Sequence, residues 1–348
     1  MVFTGFFLMY IAHNITYKVY TRLAQLGIFV AIALLIITLV AGAEINSAGR
    51  WLVIPIINQK FQTSDFAKIA LILFVARQLT IHKNHIDNFK QGVIPVIIPI
   101  AIVCALILPE NFSTSALLFL ICMIMMFIGR VKVKHLALIV GIAAVGFFML
   151  VLIAKIYPDV LPRMETWSNR IFNYASEEPK EQWQINNAQQ AIYNGGLFGL
   201  GPGNGQLKHI LPQAYADFVF ASFIEEFGII GGIFLLLLYL ILLFRIIRIA
   251  TNSEKTFNSF VVIGLGLNLV FMALINMAVC TKLVPVTGQN MPLISMGGTS
   301  TWFTFISLGI IQSIAKAAES NELKNKPALK KQQTTDAVSA KGGDHALA

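Results

Sequence analysis

Charge is what this sequence has least of. Only 12% of its 348 residues are Asp, Glu, Lys or Arg, about half of the ~25% in an ordinary soluble domain, while 56% are hydrophobic. That combination excludes a water-soluble globular fold. Cysteine is scarce too: Cys104, Cys122 and Cys280 stand singly inside apolar runs, with no CxxC pair and no histidine at ligand spacing, so a zinc site or disulfide scaffold is excluded. The first residues lack a basic region and a small-residue cleavage site, and no cleaved signal peptide is expected. Basic residues outnumber acidic ones, 26 to 17, but they form no stripe interleaved with aromatics, which argues against nucleic acid. Walker A and Rossmann spacings are missing as well, so nucleotide binding is not supported.

What is present is a succession of apolar runs near 2–13, 23–42, 64–79, 91–108, 114–129, 135–154, 217–244, 258–280 and 295–315. Most approach the roughly 17 to 25 residues that cross a ~30 Å hydrocarbon core. The pattern predicts an all-α polytopic membrane protein with about nine transmembrane helices, forming one domain over residues 1–316. The short connectors alternate in charge, and placing the basic set in the cytoplasm puts 17 of the 26 Lys and Arg residues there, together with a disordered tail at 317–348. Residue 1 then starts outside on a span of only a dozen residues, and a missing preceding helix is the simplest repair. Two segments fall on the extracytoplasmic side. Ala43–Thr63 reads as an interfacial or re-entrant piece, and 155–216 is a large loop, too long for a plain connector and therefore a functional candidate.

The large loop contains Gly195, Gly196, Gly199, Gly201, Gly203 and Gly205, six glycines within eleven residues. Backbone of this kind cannot remain helical. It suits close approach of N–H groups to a diphosphate, or equally an irregular loop folded onto the bundle. Lys208 follows, then Asp217 where the next span begins. Asp217 reads either as a helix N-cap or as a carboxylate general base acting on a sugar hydroxyl. Glu225 and Glu226 lie ~12 Å further along that helix and read as buried acids, structural or relay, with Lys68 as a pairing candidate. Arg50, Arg163 and Arg170 are either phosphate ligands or partners in rim salt bridges. Thr287, Gln289 and Ser295 offer neutral hydrogen bonds to a sugar or to backbone.

These residues fall into ordered motifs. Gly49-Arg50-Trp51 with Phe61-Gln62-Thr63-Ser64-Asp65-Phe66-Ala67-Lys68, then Gly195 to Gly203, Leu211-Pro212, Asp217-Phe218-Val219-Phe220 and Glu225-Glu226-Phe227-Gly228, then Asn276, Pro285, Thr287-Gly288 and Pro292 to Ser300, together resemble the SEDS family (shape, elongation, division, sporulation). The resemblance runs over roughly residues 2 to 316 and lacks the family's first of ten spans. Gly201-Pro202-Gly203-Asn204 and Met296-Gly297-Gly298-Thr299-Ser300 are closer in wording to its division branch than to its elongation branch. Departures include Asp65 where Glu is usual, Gly205 and Leu207 where Ser and Gln are common, Leu108 to Phe112 in place of a QPDxG-like turn, and Met296 in place of Tyr.

The resemblance implies a peptidoglycan glycosyltransferase in the bacterial inner membrane, C-terminus cytoplasmic, that polymerises lipid II on the outer face during septal wall synthesis and releases undecaprenyl diphosphate. It implies Asp217 as the essential acid, and a class B penicillin-binding transpeptidase and other division proteins as partners. Arg50, Lys68, Lys208, Gly203, Thr287 and Ser295 are the candidate substrate contacts. No organic cofactor is indicated, and the need for a divalent cation, Mg or Mn, stays open. Two competing readings are a lipid-linked precursor flippase and a non-catalytic division scaffold. Polar density gathered at one face, and the lack of an internal repeat, weigh against transport.

Overall fold

The computed structural model describes residues 1–41, 43–45, 48–54, 59–156, 179–211 and 214–320, with side chains described outside 41–60, 154–156 and 179–181. Expectations for Arg163, Arg170, the side chain of Arg50 and the tail beyond 320 lie outside the described residues.

Every expected apolar run is helical: α1 (Val2–Asn14), α2 (Tyr17–Ala41), α3 (Thr63–Ile81), α4 (Ile94–Ile107), α5 (Phe112–Ile128) and α6 (Val133–Ile156). After the large loop come α9 (Val219–Asn252), α10 (Thr256–Cys280) and α11 (299–320). Among the described residues, five helical stretches are long and apolar enough to cross a membrane: Tyr17–Val40, Phe89–Ile107, Val133–Ile153, Val219–Asn252 and Thr256–Cys280. This is a polytopic helical membrane fold. The last helix runs to residue 320, past the boundary at 316 expected for the tail.

Local chemistry sets the element boundaries. Asn111 accepts the N–H of Thr114 at 3.1 Å and caps α5, which gives the altered turn after Leu108 a structural role. A π-helical turn, Phe89–Val93, leads into α4, with the Asn88 side chain accepting the N–H of Lys90. The core is centred on α3 and α10, which are buried along most of their length. A Cβ at Gly264 of α10 would lie 2.7 Å from the Met125 sulfur. The missing side chain therefore lets α3, α5 and α10 pack together, the small-residue device of membrane bundles.

Two segments between the apolar runs carry regular structure that hydropathy did not specify. The segment read as interfacial or re-entrant is a three-stranded antiparallel sheet, β1 (Ala43–Ile45), β2 (Ala48–Ile54) and β3 (Gln59–Gln62), in the order 1-2-3, with Trp51 opposite Gln62 and Ile54 opposite Gln59. Pairing satisfies backbone groups that a lone extended segment would leave open at the membrane. The large loop also contains a helix, α7 (Pro179–Gly195), followed by the single turn α8 (Leu207–Ile210). Buried Ile185, Ala188 and Ala191, at i, i+3 and i+6, give α7 one packed face. Its polar opposite face conceals the helix from a search for apolar runs.

The two ends of the bundle differ. Between spans at one end lie the basic loops, where Lys132 pairs with Asp87 at 3.5 Å and the Lys255 ammonium sits 3.8 Å from the centre of the Tyr17 ring. The opposite end carries the sheet, α7, the glycine run and the loop between α10 and α11.

Candidate functional site

The site begins with a broken helix. Within α9, Gly228 has φ 73° and ψ 178°, a conformation that L side chains rarely adopt, and a Cβ there would overlap the Leu197 carbonyl. The break frees backbone groups on both sides, and the glycine run takes them up. Leu200 N–H and Gly201 N–H donate to Glu225 O and Glu226 O at 2.9 and 3.1 Å, while Ile229 N–H and Ile230 N–H donate to Gly196 O and Leu197 O at 2.9 and 3.3 Å. Gly199, at φ 82°, passes so close to Glu226 O that a side chain there would collide with it. Gly195, Gly199 and Gly205 are thus folded against α9, whereas Gly196 and Gly203 have open space where a side chain would stand. Broken helices persist at membrane depth only when their freed groups are re-satisfied in this way.

Glu225 secures the next piece. Its carboxylate, 1% exposed, accepts the N–H groups of Gln206 and Leu207, both at 3.0 Å, and so caps α8. That fixes Lys208, whose ammonium donates to Gly203 O and lies 3.5 Å from Glu226 Oε1. The expected pairing of Glu225 or Glu226 with Lys68 is not formed. Lys68 instead pairs with Asp65 at 2.8 Å, buried beside a small cavity lined by Asn268, Met272, Ser300 and Thr304 between α3, α10 and α11. A carboxylate one turn away on the same helix is a nearer partner than one on α9.

Asp217 stands on a separate platform. The N-cap of α9 is Phe218, so Asp217 lies one residue before it, at the entry to the helix. The backbone of 215–217 is tied down at three successive carbonyls. Met296 N–H donates to Tyr215 O at 3.1 Å, Ser295 Oγ donates to Ala216 O at 2.9 Å, and the Asn276 amide donates to Asp217 O at 3.0 Å and to Gln289 O at 2.9 Å. Gln289 in turn donates to Thr114 Oγ1 at 2.7 Å, and the Tyr239 hydroxyl donates to Pro292 O. The Asp217 side chain is half-buried and faces the backbone of Gly288, where even a Cβ would come only to 3.9 Å from Oδ2. Thr287 Oγ1 is buried without a hydrogen-bond partner among the described residues.

The structure thus groups Asp217 with Ser295 and the loop carrying Thr287, groups Lys208 with Gly203, Glu225 and Glu226, and keeps Lys68 in a buried pair of its own. The first helical turns of α9 connect the first two groups. Sequence reading assigned no role to Asn276 and left Gln289 among general hydrogen-bonding candidates. Their signal was available in principle, since an amide inside an apolar span has to find partners.

Comparison with known proteins identifies the family and the fold. Stage V sporulation protein E of Bacillus subtilis is 30% identical over 317 residues, covering 90% of this chain and 84% of its own. A protein of Trichlorobacter lovleyi named probable peptidoglycan glycosyltransferase FtsW is 31% identical over 320 residues, covering 90% and 81%. Among solved structures, a chain of a peptidoglycan synthase complex superposes with a TM-score of 0.71 at 23% identity over 90% of this chain and 86% of that one. The rod shape-determining protein RodA of Thermus thermophilus gives a TM-score of 0.63 at 23% identity over 90% and 84%. These likenesses establish a shared fold. The family profile described as "Cell cycle protein", that of FtsW, RodA and SpoVE, matches residues 1–320, and with these relatives it shows that the chain belongs to this family, the SEDS family.

Proposed function

We propose that the chain is a peptidoglycan glycosyltransferase that polymerises lipid II at the outer face of the bacterial inner membrane during septal wall synthesis, with Asp217 as general base. The observation that carries this reading is the platform under Asp217: a half-buried carboxylate on backbone held by Asn276, Ser295 and Met296. A base fixed in this way loses little orientational freedom when substrate arrives. The family, and the glycosyltransferase names carried by relatives of about 30% identity, support the reaction class.

In the proposed reaction the 4-hydroxyl oxygen of an acceptor GlcNAc bonds to C1 of the donor MurNAc as the bond from C1 to the diphosphate oxygen breaks. Asp217 takes the hydroxyl proton, and the bonding pair leaves with undecaprenyl diphosphate. Lys208 and Arg50 would neutralise the diphosphate, with Gly203 backbone beside Lys208. Thr287 and Ser295 would orient sugars, and the unpartnered Thr287 hydroxyl supports its assignment. Lys68, already paired with Asp65, would act through helix packing. Among the described residues no three His, Cys, Asp or Glu side chains gather into a metal cage. Were Mg or Mn required, the diphosphate oxygens and the Asp217 carboxylate would hold it. Such an ion would supply charge neutralisation at the leaving group. A class B penicillin-binding transpeptidase is the proposed partner, supported by the fold shared with a peptidoglycan synthase complex.

The test is polymerisation of labelled lipid II by the protein with its transpeptidase, compared with Asp217→Asn and Asp217→Ala. Loss of glycan ladders in both variants, with folding and partner binding intact, is the expected result. Ladders that persist would remove Asp217 from catalysis. Intact partner binding with no ladders from any version would favour the scaffold or flippase readings.

A further inference from the structure

The glycine run leaves three large apolar side chains exposed, Leu200 at 44% and two more so at its tip. Leu197 is 62% exposed and Phe198 81% exposed, although the backbone on either side of them is bonded to α9: Gly196 O and Leu197 O accept from Ile229 and Ile230, and Leu200 and Gly201 donate to Glu225 and Glu226. The turn is therefore rigidly mounted, and its exposed tip is not a frayed loop.

Its height along the bundle follows from α9. After the break the helix presents a continuous run of exposed apolar side chains, Ile229, Ile230, Ile233, Phe234, Leu237 and Leu238. That lipid-type surface ends at the basic end, where Arg245 and Arg248 stand. At ~1.5 Å per residue, Gly228 lies about 26 Å from Arg245 and about 30 Å from Arg248 along the axis, close to the ~30 Å of a hydrocarbon core. The break thus coincides with the far boundary of the core, and the Leu197–Phe198 tip continues the apolar surface of α9 at that boundary.

We infer that Leu197 and Phe198 form a membrane-inserting knuckle, buried in the acyl region of the leaflet on the non-basic side, which sets the depth of the whole glycine run. Aromatic and aliphatic side chains at an interface gain free energy by immersion, and a bonded turn loses little conformational entropy in the process. The consequence concerns Lys208. Its ammonium is held by Gly203 O and beside Glu226, on the side of the break away from the core, so the knuckle fixes that cation at the height of lipid phosphates. This inference rests on the geometry of α9 and stands apart from the assignment of catalysis.

The test is a spin label on Phe198→Cys in the full-length protein reconstituted without a partner into phosphatidylethanolamine–phosphatidylglycerol vesicles. Native Cys104, Cys122 and Cys280 are buried and do not compete for label. Collision with oxygen, enriched in the acyl region, is compared with collision with a water-soluble nickel chelate. Phe234→Cys serves as the lipid reference and Asn84→Cys as the aqueous one. The expected ratio of oxygen to nickel collision at 198 lies below that at 234, which is about 9 Å deeper, and exceeds that at 84 several-fold. A ratio equal to that at 84 overturns the inference, since the tip is then in water. Low collision with both reagents overturns it too, by showing the tip covered by protein, a second copy of the chain included. Leu197→Cys repeats the measurement should labelling at 198 disturb the fold.

Discussion

One amide, that of Asn276, joins the entry to α9 with the loop between α10 and α11, because its N–H groups reach carbonyls on both. Replacing it with Leu leaves buried carbonyls without donors, each costing about 1–3 kcal/mol. The expected outcome for Asn276→Leu is a lowered thermal midpoint in detergent together with slower polymerisation. Asp217→Asn should behave oppositely. With the backbone ties intact, its midpoint should stay within the range of the unaltered protein while kcat falls by about 10²- to 10⁴-fold, the usual worth of a general base, and KM changes little. The contrast between these two substitutions, read by thermal unfolding and lipid II kinetics, separates positioning from chemistry. Asp217 was legible as a candidate because an acid at the edge of a span is conspicuous among apolar residues. The contacts of Asn276 were not, because its partners are backbone carbonyls up to 60 residues away in the chain.

At the scale of elements, the broken helix and the glycine run are one device. Neither is stable alone: α9 has unpaired groups at Gly228, and the run has no internal ladder. A methyl at Gly228 meets the Leu197 carbonyl and forces a conformation L residues avoid, so Gly228→Ala should release the run. Limited trypsin digestion in detergent should then cut after Lys208 much faster than in the unaltered protein. Glu225→Ala removes the acceptor of two N–H groups and should cost about 1–3 kcal/mol. Glu225→Gln keeps an acceptor oxygen and should lose less, and thermal unfolding measures the difference. The positions of these acids were plain from the sequence, but their partner was misread. Burial suggested a buried lysine, whereas Glu225 satisfies backbone N–H groups of α8 and Lys68 finds Asp65 one turn away.

For the whole molecule, basic loops gather at one end and the candidate site at the other. Charge asymmetry of this kind sets orientation, so Asn84 is expected in the cytoplasm and Leu283, 77% exposed, on the outer face. A membrane-impermeant maleimide should label Leu283→Cys in intact cells and Asn84→Cys only after permeabilisation. The reverse pattern would overturn the orientation and with it the outer-face assignment of the site.

The membrane class, the place of every apolar helix and the identity of the motifs were determined by sequence alone. Hydropathy is a local property, and lipid demands long apolar runs wherever a chain crosses it. Tertiary structure alone decided the sheet before α3, the polar helix α7, the break at Gly228 and the ties beneath Asp217. Each depends on backbone groups meeting partners distant in the chain, and no local pattern of residues records where a carbonyl will find its donor.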